Sequence, residues 1–266
     1  MTEAVSTVDL VFLWHHHQPD YRSPRDGRSL LPWVRLHASK DYLDMAVRLH
    51  RHPRLRAVFN FVPSLLDQLE GVARGEPDAL FDLLGREIGE LGEAERREVI
   101  ARCTIAPRYA FERWPAYRRL TDRANRARQS GGRSDNFGDD ELLALEVWFL
   151  LAWIDPMFHD APAAAAALAT PTHFATPIRD GLLVLHQRLA TEVVPAYRSL
   201  ADAGQVELSE SPYYHPILPL LVGHEAARRA RPDLVLPSEA FAAPEDATVQ
   251  VGRAVERHRR AFGALP

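Results

Sequence analysis

The stretch Val8–Pro19, VDLVFLWHHHQP, constrains the fold of this chain more than any other. Every residue from Val8 to Trp14 except Asp9 is apolar, and β-branched and aromatic residues dominate, which predicts a buried strand. Pro19 cannot donate to a sheet ladder, so the strand stops before it. Side chains alternate along a strand, so His15 and His17 point to one face and His16 to the other. Two imidazoles therefore leave the C-terminal end of a first strand together. In barrels and open α/β sheets, that end is where ligands bind.

The segments after Pro19 predict a parallel sheet. Ser39 is placed to cap a helix from Lys40 to about His50, with Tyr42, Met45, Ala46 and Leu49 as its apolar stripe. Trp33, Arg35 and His37 then fall in a loop before it. Leu55–Val62 predicts a second strand, with Asn60 interrupting its apolar face near the C-terminal end. Pro63 suits the first turn of the next helix. Strand, helix, strand, helix is the βαβ rhythm of a parallel sheet. From Arg74 to about Ile154 the rhythm breaks into successive helical patterns, which predicts a helical insertion over roughly 74–176. Within it, Gln129–Asn136 has no apolar residue and reads as a surface loop. Ile178–Ala201 predicts a long helix that Pro195 kinks or splits. Val206–Leu208 predicts a third strand and Leu234–Leu236 a further short one. Pro244 opens a last helix and Gly263 closes it.

Composition narrows the function classes. Hydrophobic residues make up 46% of the 266 residues and charged ones 26%, as in globular domains. A net charge of −4 supplies no field for nucleic acid or a membrane surface. No apolar run reaches the roughly 18 residues of a membrane span. Nothing before Val8 resembles a signal peptide, and the one cysteine, Cys103, excludes an internal disulfide. A cytoplasmic protein is expected. Cys103 reads as a core or surface thiol and His186 as a packed side chain. His50, His52 and His258 read as solvated, and the arginine runs at 228–231 and 257–260 as helix-surface charge. Lys40 is the only lysine.

Three stretches gather polar and aromatic residues at expected strand ends: His15–Pro19, Trp33–Asp41 and Glu207–Pro216. Aromatic faces stack on the apolar faces of sugar rings, while His, Gln, Asp and Glu hydrogen-bond hydroxyls, so a sugar site is chemically natural. A rival reading is a metal-dependent hydrolase or deacetylase. His-x-His at a strand end can hold zinc, and His15, His17 and His215, or an acid such as Asp41, complete a three-ligand set. Against it, no second metal-ligand motif accompanies the first.

WHHHQP, LPWVRLHASKDY, FNFVPSLLDQL and GQVELSESPYYHPILPLL, in that order, resemble successive landmarks of glycoside hydrolase family 57, on its α-amylase and amylopullulanase side. The resemblance spans almost the whole chain, least well in the helical insertion. It implies the N-terminal portion of an incomplete (β/α)7 barrel, and a retaining hydrolase or 4-α-glucanotransferase acting on α-glucans. His17 matches the sugar-binding histidine of the family's first motif, and Glu207 and His215 fall in its second. The resulting candidate substrate-binding residues are His15, His17, Gln18, Trp33, His37, Glu207, Tyr214 and His215. The family's nucleophilic glutamate and general-acid aspartate are expected beyond Pro266, so no catalytic residue is assigned, nor is any metal or cofactor. Expected partners are an α-glucan or maltooligosaccharide, and a downstream segment or second chain completing the barrel. The alternative is a sugar-binding remnant without catalysis.

Overall fold

The computed structural model describes residues 10–129, 137–171 and 173–266. The first residues of the initial run, 8 and 9, and positions 130–136 of the expected surface loop lie outside them. In chain order the elements are β1 (Leu13–His16), α1 (Trp33–His37), a π-helical turn (Ala38–Tyr42), α2 (Leu43–Arg51), β2 (Ala57–Phe61) and α3 (Pro63–Ala73). There follow α4 (Ala79–Leu84), α5 (Glu93–Cys103), α6 (Arg108–Arg113), α7 (Pro115–Gln129), α8 (Asp139–Ala152), α9 (Pro162–Ala169) and α10 (Thr176–Asp202). The chain ends with β3 (Val206–Glu210), α11 (Leu218–Val222) and α12 (Pro244–Phe262). This is a mixed α/β fold with a small parallel sheet, ordered β1-β2-β3.

The chain divides into two compact units. The first comprises Met1–Asp20, Ala46–Asp67 and Val194–Pro266. Its sheet register aligns Leu13, Val58 and Glu207, then Trp14, Phe59 and Leu208, then His15, Asn60 and Ser209, then His16, Phe61 and Glu210. Alternation gives the sheet two unlike faces. His16, Phe59, Phe61 and Glu210 project toward α10 and α12, where Tyr197 packs on His16, Phe59 and Phe61, and Phe262 packs on Phe61. Phe59 and Phe61 are fully buried, worth about 2 kcal/mol each by area. The opposite face carries Leu13, His15, Asn60, Glu207 and Ser209. At the entry to β3, Gly204 takes φ 65°, and the Gln205 amide bonds the Leu200 carbonyl at 2.9 Å, closing α10. Gly263, at φ 79°, closes α12 in the same left-handed way.

The second unit comprises Tyr21–Met45 and Gln68–Val193 and is helical. Its core runs through α8, where ten residues from Leu142 to Ala152 are buried, Glu146 among them. Burial pushes the Glu146 carboxyl up to about 8, opposed by the buried Arg179 guanidinium at 3.4 Å. His186 is fully buried and bonds the Leu150 carbonyl at 2.9 Å and the Ser39 hydroxyl at 2.8 Å.

Several sequence expectations are corrected. The initial run is not a buried strand. Pairing begins only at Leu13, and Leu10–Trp14 are exposed, Leu13 by 62%, because β1 is an edge strand whose outer side nothing described covers. Trp33, Arg35 and His37 are helical, not in a loop. Val34 and Leu36 are buried, and the turn runs on through the π segment into α2. Ser39 is therefore no cap, and its hydroxyl lies 3.2 Å from the Arg35 carbonyl. Pro195 does not split α10. It sits on the exposed side while Val193, Tyr197 and Leu200 anchor the helix around it. Leu234–Leu236 form no strand, and Val235 is 91% exposed. His258 and Arg257 are not solvated; each is about 1% exposed.

Candidate functional site

Parallel strands end on one edge of a sheet, and here that edge gathers histidines. His15 is the last residue of its face in β1, and His17 follows two positions on. His215 arrives from the turn after β3, where its amide bonds the Pro212 carbonyl at 2.8 Å. The ring centroids lie 5.8 Å apart for His15 and His17, 4.7 Å for His15 and His215, and 4.8 Å for His17 and His215, which stack. Among non-glycine described residues, only His215 takes a positive φ, 56°. A branched-off Cβ disfavours that conformation, and it persists only where surroundings enforce it.

Those surroundings are visible. The Tyr213 amide bonds the Gln250 carbonyl at 3.2 Å, and the Tyr214 amide bonds the Gln250 side chain at 2.8 Å, tying the turn to α12. The Tyr213 carbonyl accepts from the Ser64 amide at 3.1 Å. The Tyr213 hydroxyl donates to Asp67, and the buried Arg257 Nε donates to the same carboxylate at 2.5 Å. Burial, then the Asp67 bond, push the Tyr213 phenol up to about 12. The arginine and histidine that look like surface charge in α12 are thus the backing of the turn. His258 donates from Nδ1 to Glu210 Oε2 at 2.5 Å, both buried behind the sheet. Burial raises the Glu210 carboxyl, against the His258 bond.

On the open face, His15 Nδ1 donates to Asn60 Oδ1 at 2.7 Å. The Asn60 carboxamide donates from Nδ2 to Ser209 Oγ at 3.0 Å and accepts from the Ser211 hydroxyl at 2.8 Å. These bonds tie the amide to the end of β3 and the turn after it. Burial, then the neighbouring imidazoles of His215 and His15, hold His17 below the ordinary histidine range.

The candidate residues separate accordingly. His15, His17 and His215 converge. Gln18 follows them directly in the chain and is half-buried. Glu207 lies on the same sheet face but in the row of Leu13 and Val58, two rows before His15. Tyr214 is 47% exposed and packs edge-on to Tyr213. Trp33 and His37 belong to the second unit. There both lie edge-on to Trp153, at 5.8 and 5.4 Å, and His37 donates to Asp41 at 2.6 Å. Nearby, Lys40 sits 3.8 Å from Asp41, 3.9 Å from Asp155 and 5.1 Å over the Tyr109 ring. Asn60, Ser209 and Ser211 orient the site, and sequence reasoning did not single them out as ligands. Their signal was an asparagine inside an apolar strand, together with a serine-rich strand end.

The family model for glycosyl hydrolase family 57 matches residues 11–266. No curated protein sequence matches. Among solved structures, the chain is similar to a branching enzyme of that type from Pyrococcus horikoshii, with 15% identity and a TM-score of 0.41 over 96% of this chain and 33% of that one. A branching enzyme from Thermococcus kodakaraensis matches at 17% identity and 0.39, over 96% and 31%. An α-amylase from Thermotoga maritima matches at 11% identity and 0.44, over 96% and 34%. The chain spans about a third of the length of these structures.

Proposed function

Because the chain belongs to glycosyl hydrolase family 57, we propose that it binds α-glucans on the open face of its parallel sheet. Members of the family act on α-glucans. On this reading the sheet is part of an incomplete (β/α)7 barrel, and its open face lines the barrel's interior. His17 and His215 donate to or accept from sugar hydroxyls, His15 is held ready by Asn60, and Gln18, Glu207 and Tyr214 contribute at the margin. Trp33 and His37 offer a second, aromatic sugar contact in their own unit. The observation that carries the reading is the convergence of imidazoles from two strand ends at the edge where parallel sheets place ligands. Aromatic and imidazole rings with few fixed polar groups are what a carbohydrate subsite requires.

The reaction that the family implies is retaining transfer of a glucosyl unit, which needs two carboxyl groups about 5–5.5 Å apart. Of the acids in the three strands, Glu207 alone lies on the open face, while Glu210 is turned inward to His258. On this reading the three strands supply binding and orientation, and the nucleophile and acid are not assigned to them. Calorimetry with maltooligosaccharides tests this: millimolar binding is expected, lost in His17→Ala and weakened by about 1–2 kcal/mol in Trp33→Ala if the ring stacks on sugar. Absence of heat up to millimolar ligand overturns the reading.

A further inference from the structure

The three imidazoles form one close group, with ring centroids 4.7–5.8 Å apart. His15, His17 and His215 each present a ligand nitrogen, and these atoms all lie within 4.8 Å of one another. No carboxylate joins the group among the described residues. A zinc ion holds its nitrogen ligands at about 2.0–2.1 Å, so small rotations of these exposed and half-buried rings would bring all three nitrogens onto one ion.

The tautomer of His15 agrees. Its Nδ1 faces Asn60 Oδ1 at 2.7 Å. That oxygen only accepts, so Nδ1 carries a proton, and in the neutral ring Nε2 is the nitrogen with the lone pair. Asn60 is itself held by the Ser209 and Ser211 hydroxyls, at 3.0 and 2.8 Å. A metal-binding histidine usually donates its other ring nitrogen to an oxygen in this way, which sets the ring's orientation. His215 is brought to the group in a left-handed backbone conformation, φ 56°, which the bonds of Tyr213 and Tyr214 to Gln250 enforce. The ring's position is thus set by the turn and not left to rotate with a loose chain end.

We propose that His15, His17 and His215 bind a divalent first-row transition ion, with Zn2+ the ion their chemistry favours. Neutral imidazoles suit zinc and its neighbours, while Mg2+ and Ca2+ take oxygen ligands. Three protein ligands leave a fourth position, and the exposure of His15 and His215 opens it to water or a hydroxyl oxygen. The site uses side chains assigned above to sugar binding, but it does not depend on that assignment.

The test is zinc titration of the tag-free, chelator-treated chain, read by calorimetry and by metal content after dialysis. One equivalent at micromolar affinity or tighter is expected. His17→Ala and His215→Ala should abolish it, and Asn60→Ala should weaken it roughly 10–100-fold. His50→Ala, at an exposed histidine elsewhere, should change nothing. Cobalt decides independently of how the variants fold: the wild-type chain should give the strong visible band of a tetrahedral site. A pale octahedral spectrum, no zinc retained, or equal retention without His15, His17 and His215 overturns the proposal. Zinc retained without maltooligosaccharide binding leaves this site standing and ends the sugar reading; sugar binding without zinc does the reverse.

Discussion

At the scale of single residues, burial decides chemistry that composition cannot show. His258 and Arg257 sit within a run of arginines, yet both are buried and back the strand end and its turn. The sequence did hold a signal: Ala254, His258, Ala261 and Phe262 recur at helical spacing, so the stripe that buries the alanines also buries the histidine. His186 is legible in a simpler way, flanked by leucines along one helix. Burial pushes its imidazole down to about 3, opposed by the Leu150 bond. The unfolded chain takes up a proton near pH 6.5 that the folded chain refuses until about pH 3. Stability from this group is therefore complete above pH 6.5 and is lost as pH falls toward 3, on the order of 5 kcal/mol across the window. His186→Gln keeps a donor for the Leu150 carbonyl and removes the titration. Urea unfolding from pH 7.5 to 4 should show a shallower loss of stability in the variant; identical slopes would refute the assignment.

At the scale of elements, what was legible depended on whether an element's partners lie close in sequence. The second strand, the helix opened by Pro63, the buried helix after Asp139 and the last helix were all readable, because caps, prolines and apolar periodicity are local. The start of α1 was not. Its buried Val34 and Leu36 are packed by tertiary neighbours, and Ser39 imitates a cap. The first strand was misjudged for the converse reason: its apolar run predicts burial, but burial depends on what covers it. Leu10, Val11, Leu13 and Trp14 are exposed along the sheet edge. An exposed apolar edge strand is a template for pairing with other chains. Val11→Lys should reduce concentration-dependent light scattering while leaving Tm within about 2 °C, since it removes no buried contact. Undiminished scattering would show that association occurs elsewhere.

At the scale of the whole molecule, the sequence conveyed a parallel sheet and a helical region, and the pairing of His15 with His17 on one face was legible from strand alternation. The turn that presents His215 was not, because its constraints come from Gln250 and Asp67, remote in sequence. The open face also sets an expectation for turnover. With Glu207 as the one strand carboxylate there, the purified chain should not hydrolyse amylose or maltooligosaccharides at an enzyme-like rate, as reducing-end assays would show. Robust hydrolysis abolished by Glu207→Gln would place catalysis on this face after all. Finally, each strand pairing in this sheet joins distant segments: Asn60 meets Ser209 across 149 positions of chain. No hairpin nucleates such a sheet, and each closure loses much chain entropy before any contact offsets it. The histidine cluster needs β3 and the turn after it, so it should be among the last features to form, and its appearance should report the completion of folding.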